Sequence, residues 1–251
     1  GRDTHFKNRL SKKNDDITDP ITGKLRQDIS KNRKCPLCSK DKKTIIFIKE
    51  GFEHYKCQNC SMVYVNPILN EEKLHNFYQD EESYNKVLTN SLQIDLDIKR
   101  FNYCLDIIEQ YCPKKGNILD VGAGAGIFLE VAMGRNWEPL AIEFNSFCIK
   151  RIKSLGIDCI SKPIEEVNLA KASFDCITLW AVLEHLQEPK KMLKNINELL
   201  KPNGILVILV PNINSLAARI MHEKCGTFSG DAHINFFNDM TLKNIQEKAG
   251  F

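Results

Sequence analysis

An α/β fold, with a doubly wound and mostly parallel sheet preceded by a small cysteine-bearing β unit, is predicted by three features of the 251-residue chain. From Ile118 onward, short aliphatic strands alternate with amphipathic helices, the rhythm of a parallel sheet wrapped by helices. The run 205–210 is aliphatic at every position, as suits a strand covered on both faces. Ahead of these, two Cys-x-x-Cys pairs enclose runs with strand-like character. A chain of this length suffices for one large domain or two unequal ones.

The elements follow in order. Residues 1–34 are polar, lack apolar periodicity and read as a disordered basic tail. Residues 35–67 hold β-like runs at 44–48, 52–56 and 62–65, with Lys49-Glu50-Gly51 turning the first into the second. Asn66-Pro67 closes this unit, since proline cannot continue a ladder. Residues 68–115 read as a helical lid or linker. Leu74, Phe77 and Tyr78 share one face, Ile98, Phe101, Leu105 and Ile108 another, and Pro113 ends the pattern. Residues 116–251 carry strands over 118–121, 139–144, 157–161, 174–180 and 205–210. The intervening helices turn Phe128, Val131 and Ala132, then Phe147, Cys148, Ile152 and Leu155, then Met192, Leu193, Ile196, Leu199 and Leu200 inward. The last of these opens at Pro189 and is stopped by Lys201-Pro202-Asn203-Gly204.

With 43% apolar and 27% charged residues, the chain is neither disordered overall nor fibrous. Its longest aliphatic run, 205–210, is far short of the roughly 20 residues of a membrane span, and its charged start is unlike a secretory signal. Net charge is +3, but residues 1–34 hold ten Lys or Arg against five Asp. The tail is therefore +5 and the remainder about −2, which argues against a general nucleic-acid binder. Ten cysteines, six of them scattered through apolar segments, suit a reducing, cytoplasmic setting.

The other four form Cys35-Pro-Leu-Cys38 and Cys57-Gln-Asn-Cys60, with 18 residues between the pairs. Each Cys-x-x-Cys turn presents two thiolates to one ion, and two turns joined by a hairpin match the spacing of a zinc ribbon. Four thiolates close a tetrahedral sphere, so such a zinc is structural. A redox dithiol and an iron–sulfur cluster are the competing readings; the first makes one pair redundant, and the second lacks the ferredoxin spacing.

The run Ile118-Leu-Asp-Val-Gly-Ala-Gly-Ala-Gly126 sets Asp120, Gly122, Gly124 and Gly126 at a turn from buried strand to helix. Positions without side chains let a ligand approach the backbone and the new helix's N–H groups. A dinucleotide fingerprint needs glycine at 127, where Ile127 stands. Glu143 ends the second strand, 21 residues after Gly122, where a carboxylate can accept both hydroxyls of a ribose.

At these residues the chain resembles the class I S-adenosylmethionine-dependent methyltransferases. Residues 119–126 match the family's first motif, and Glu143 falls at its ribose-binding acid. Residues 172–186 are similar to the fourth-strand segment, which implies that Trp180 flanks the cofactor, and Leu200-Lys-Pro-Asn-Gly204 is similar to the turn before the fifth strand. From Cys35 on, the chain more narrowly resembles a bacterial group in which a zinc ribbon precedes the methyltransferase domain; 51–67, 233–242 and Ala249-Gly-Phe251 carry that likeness. In place of the family's adenine-side acid, Ser161-Lys162-Pro163-Ile164 makes Ile164 the nearest adenine contact. The family sheet has seven strands, the last two a hairpin after an Ala-Gly-Phe segment. Because the chain ends at Phe251, its fifth strand is expected as an exposed edge, to be completed by further residues, a second copy or a partner chain.

The resemblance implies methyl transfer from S-adenosylmethionine. His185 and His233 are the candidate catalytic bases, because both follow strands whose C-terminal ends bind ligands in such sheets. His185 also suits a backbone-bonding role, and Phe236 and Phe237 beside His233 either line a pocket or pack. Glu184 reads as a helix-start residue favouring the dipole. The expected acceptor is a small molecule (a sugar, a lipid or quinone precursor, or a secondary metabolite), methylated on oxygen. The alternatives are an RNA methyltransferase gripping its substrate with ribbon and tail, and a non-catalytic cofactor-binding subunit.

Overall fold

The computed structural model describes residues 17–73 and 90–251. The expected tail over 1–16 and the face of Leu74, Phe77 and Tyr78 lie outside the described residues. In chain order the elements are β1 (Ser30–Lys31), β2 (Lys43–Lys49), β3 (Phe52–Cys57), β4 (Val63–Val65), β5 (Ile68–Leu69), α1 (Ser91–Tyr111), β6 (Asn117–Val121), α2 (Ile127–Gly134) and β7 (Glu138–Ile142). They continue as α3 (Ser146–Ser154), β8 (Asp158–Ile160), β9 (Phe174–Trp180), α4 (Pro189–Leu199), β10 (Leu200–Leu209), α5 (Leu216–Met221), β11 (Asn235–Phe236) and α6 (Asp239–Glu247). Among the described residues no helix is long and apolar enough to cross a membrane.

Two compact units form, and they do not follow linear order: residues 183–190 and 211–248 belong with the cysteine-bearing N-terminal part rather than with the rest of 116–251. The larger unit holds the parallel sheet, in the order β10-β9-β6-β7-β8. The chain runs outward from β6 through β7 to β8, then returns to place β9 on the other side of β6. The switch point between β6 and β9 is where open α/β sheets bind ligands. Ile118, Phe128, Leu129, Ala132, Ala141, Ile152 and Cys176 form its core with Phe101, Leu105 and Ile108 of α1. Ile98, expected on the same face, is 36% exposed. Leu200 already pairs with Phe174, and the register slips before Ile205 meets Cys176. Lys201-Pro202-Asn203-Gly204 is thus a bulge within β10 as well as the end of α4, with Asn203 at φ +65°.

In the smaller unit β11, β4, β3 and β2 form an antiparallel sheet in that order, and β1 pairs antiparallel with β5. The expected tail is corrected from residue 17 onward. Leu25 and Ile29 are buried with Phe52, Val65, Ile68 and Phe236, and Arg26 N–H donates to the Ile17 carbonyl. The stretch holds four aliphatic side chains, Ile17, Ile21, Leu25 and Ile29; Ile21 stays exposed, and Leu25 and Ile29 anchor the segment once a sheet face offers cover. Asn66-Pro67 likewise does not end the unit, because the chain goes on into β5. Phe236 and Phe237 are both 1% exposed and pack rather than line an open pocket.

Candidate functional site

The glycine loop is fastened to the end of β7. Gly122 and Ala123 N–H groups both donate to the Ile142 carbonyl, at 2.8 and 3.2 Å. Gly124 N–H donates to Glu143 Oε2 at 2.6 Å, while Phe144 and Asn145 N–H groups donate to Oε1 at 2.7 and 2.9 Å. Glu143, 6% exposed, therefore clamps its own turn and the loop together through charge-assisted bonds, and its oxygens keep lone pairs for further donors. All three glycines have positive φ, at +76°, +53° and +74°. A Cβ at Gly122 would lie 2.8 Å from Val182 Cγ2, and one at Gly126 2.7 Å from Ile152 Cγ1. Gly126 is also the N-cap of α2, and no side chain caps that helix, which leaves its first turn to an anion.

Asp120 stands on β6 at the switch point, 1% exposed. Its Oδ1 accepts from the Thr178 hydroxyl at 2.7 Å, and its Oδ2 has no partner among the described residues. Burial pushes its carboxyl up to about 7, with the Thr178 bond opposing and the nearby Glu143 adding to the rise. Trp180, two residues beyond Thr178, packs its ring on Phe101 and Phe128 at 5.2 and 5.0 Å. Its indole N–H is buried without a partner among the described residues. Ile164 is buried in a single 3₁₀ turn, Ile164–Glu166, that follows β8. An orphaned acceptor, an orphaned donor, an uncapped helix and a clamped carboxylate fit a polar ligand of the nucleoside type.

The four cysteines converge. Cys35 and Cys60 Sγ are 3.5 Å apart, as are Cys38 and Cys57, and all four sulfurs lie within 4.8 Å of one another. A tetrahedral zinc with bonds of about 2.3 Å sets its sulfurs about 3.8 Å apart. The two turns repeat one geometry: Cys35 and Cys57 carbonyls accept from Ser39 and Ser61 N–H, and those serines have φ of +60° and +61°. Burial raises the Cys35 thiol to about 11. At Cys57 burial is outweighed by Asn59 and Cys60 N–H groups, which bring it to about 7. None of the ten cysteines forms a disulfide. The residues fit a zinc ion.

The third cluster lies within the smaller unit. Leu183–His185 is a single 3₁₀ turn, and His185 Nδ1 lies 2.8 Å from the Ala232 carbonyl. His233 Nδ1 lies 2.9 Å from the Thr227 carbonyl, and the two rings meet edge to face at 4.9 Å. A carbonyl only accepts, so both Nδ1 atoms carry protons, and a neutral ring then has its lone pair at Nε2. Burial lowers His233 below the ordinary histidine range. Glu184 is 1% exposed, with no partner for either carboxylate oxygen among the described residues, and burial pushes it up to about 7. One ligand-capable atom from each of Glu184, His185 and His233 falls within 4.8 Å of the others. The expected dipole role of Glu184 is corrected, because α4 begins only at Pro189 and the carboxyl is buried.

Asn235 holds this turn. Its amide donates to the Leu183 and Leu186 carbonyls at 2.9 and 2.7 Å, and its oxygen accepts from Arg33 Nη2 at 2.7 Å. Burial pulls Arg33 down to about 10, so it stays charged at neutral pH. Glu184, Asn235 and Arg33 carried no signal in sequence spacing, since their partners lie far along the chain.

A family model described as a methyltransferase domain matches residues 96–251. The ubiquinone biosynthesis O-methyltransferase of Coxiella burnetii is 32% identical over 117 residues, covering 44% of this chain and 50% of its own length. The mitochondrial protein of the same name from Schizosaccharomyces pombe is 27% identical over 186 residues, 69% of this chain and 64% of its own. The chain thus spans about half to two thirds of the length of these curated relatives. Among solved structures, a SAM-dependent methyltransferase from Archaeoglobus fulgidus superposes with a TM-score of 0.53 at 24% identity, covering 63% of this chain and 69% of that one. A Thermotoga maritima protein described as a possible histamine N-methyltransferase gives 0.51 at 20%, covering 72% and 80%. Both show the same Rossmann-like methyltransferase fold. With its glycine loop, clamped acid and more than half its length in the matched region, the chain belongs to the methyltransferase-domain family.

Proposed function

We propose that the protein transfers a methyl group from S-adenosylmethionine to a hydroxyl of a small molecule: a sugar, a lipid or quinone precursor, or a secondary metabolite. The observation that carries this reading is Glu143 fastening the Gly124 amide at 2.6 Å, which presets a carboxylate for a ribose beside an uncapped helix. The relatives named as O-methyltransferases support oxygen as the acceptor atom. S-adenosylmethionine supplies a methyl already activated on a sulfonium. Glu143 would hold the ribose hydroxyls, Ile164 the adenine, and Asp120, Trp180 and the loop at Gly122, Gly124 and Gly126 the remaining polar edge. His233, kept neutral by burial, and His185 are the bases proposed to take the acceptor proton. Cys35, Cys38, Cys57 and Cys60 would hold a structural zinc, and ten cysteines without a disulfide suit the cytoplasm.

The convergence of Glu184, His185 and His233 favours a second reading of the chemistry, in which a divalent ion held there polarises the acceptor hydroxyl. Turnover that survives chelation while the cysteine-bound zinc is retained would exclude it.

Calorimetric titration with S-adenosylhomocysteine, with NADH as control, tests the cofactor reading. Micromolar binding of the former alone is expected; a folded sample that binds neither overturns it. Radiolabelled methyl transfer to RNA, but to none of a panel of hydroxylated metabolites, would overturn the small-molecule acceptor.

A further inference from the structure

Arg33 is a charge without an opposite number. Its guanidinium is partly buried: Nη2 donates to the neutral amide of Asn235 at 2.7 Å, and Nη1 is buried with no partner among the described residues. Among the described residues no carboxylate pairs with it. The ring of Tyr64, whose hydroxyl is also buried and unpartnered, lies 5.8 Å from its centre. Burying a cation this way costs several kcal/mol unless a negative charge faces it. Cys35, one of the four converging cysteines, lies two residues along the chain. A divalent zinc in four thiolates carries a net charge of −2, so the metal-loaded cluster would provide the missing anion.

The other side of the guanidinium leads to the histidine turn. Asn235 spends both of its amide donors on the Leu183 and Leu186 carbonyls and accepts from Arg33. Those carbonyls bracket Glu184 and His185, while Ile234 N–H donates to the Glu184 carbonyl at 2.8 Å. Asn235 also sits opposite Tyr64 in the β11–β4 register. With Asn235 1% exposed, no water competes for these bonds.

We propose that Arg33 is the counter-cation of the metal-loaded four-cysteine site, and that through Asn235 it positions the Leu183–His185 turn, so that metal occupancy is felt at Glu184 and His185. The proposal rests on the zinc reading and adds a route by which a structural ion steadies a candidate catalytic turn. Groups that orient metal ligands are typically worth 10–100-fold in metal affinity.

The full chain, zinc-loaded, provides the test. Chelator competition should show Arg33→Met binding zinc about 10–100-fold more weakly than wild type, Arg33→Lys restoring most of that loss, and Asn235→Ala leaving it unchanged. In the cobalt-substituted chain the thiolate-to-metal band should shift in Arg33→Met and return in Arg33→Lys. Hydrogen exchange at 183–186 should slow on metal loading in wild type, whereas in Asn235→Ala it should be fast with or without metal. Wild-type zinc affinity in Arg33→Met, or an undiminished response of the turn to metal in Asn235→Ala, overturns the proposal. If Arg33→Met does not fold, Asn235→Ala decides. A wild-type chain that binds no zinc defeats the zinc reading itself, a different result from a zinc-bound chain whose turn ignores Arg33.

Discussion

Arg33 and Asn235, 202 positions apart in sequence, are joined by a 2.7 Å hydrogen bond from guanidinium to side-chain carbonyl. The bond ties the segment leading into the first cysteine pair to the strand beyond the parallel sheet. The cysteine-bearing unit is therefore built from both N-terminal and C-terminal segments: β4 takes β11 as its neighbour, and the two segments share one core with Phe228 and Phe236.

Glu143→Gln removes the charge from three backbone bonds and from the proposed ribose contact. S-adenosylhomocysteine affinity should fall about 10–100-fold, equivalent to roughly 1.4–2.8 kcal/mol, measured by calorimetry beside a melting curve that confirms the fold. An unchanged dissociation constant would remove Glu143 from the cofactor site.

Gly126→Ala places a methyl 2.7 Å from Ile152 Cγ1 at a backbone φ of +74°. Conformational strain and overpacking together should cost about 2–4 kcal/mol in urea unfolding. If the clash is the cause, Ile152→Ala should cost less in the Gly126→Ala background than in wild type, which a double-mutant cycle reads directly.

Asp120 makes stability depend on pH. Its carboxyl is pushed up to about 7 by burial, against about 3.9 in an unfolded chain, so the native state holds the extra proton between those values. This contribution is complete below about pH 4 and is lost as pH climbs to about 7. Glu184, also raised to about 7 by burial, acts with the same sign. Asp120→Asn, which keeps an oxygen for the Thr178 hydroxyl, should flatten the fall in unfolding free energy between pH 4 and 7; an unaltered slope would show that Asp120 does not cause it.

Trp180 and Trp137 are the two tryptophans of the chain. Trp137 is buried and bonded to Glu109 at 3.2 Å, whereas the Trp180 N–H has no partner. Titrating S-adenosylhomocysteine should change the emission of wild type and Trp137→Phe but not of Trp180→Phe. The opposite pattern would move the ligand away from β9.

What the sequence by itself determined is what short stretches of chain specify. The loop through Gly122, Gly124 and Gly126, the acid closing the next strand and the two cysteine turns each lie within a few residues of their own geometry. Local conformation therefore gives the three glycines their positive φ and Ser39 and Ser61 the same left-handed turn, while the parallel pairing of β6 with β7 delivers Gly124 to Glu143. Alternating aliphatic strands and amphipathic helices likewise mark the parallel sheet. Tertiary structure decided the rest. Of the aliphatic residues Ile17, Ile21, Leu25 and Ile29 in a charged segment, only the fold decides that Leu25 and Ile29 are buried, beside Phe52 and Val65, while Ile21 is exposed. Glu184 looks like an ordinary helix-start acid until the fold closes over it. His185 and His233 stand 48 positions apart in the sequence, and their rings meet at 4.9 Å in the folded unit. Burial and distant pairing come from surfaces assembled far along the chain, and no local period records which surfaces will meet.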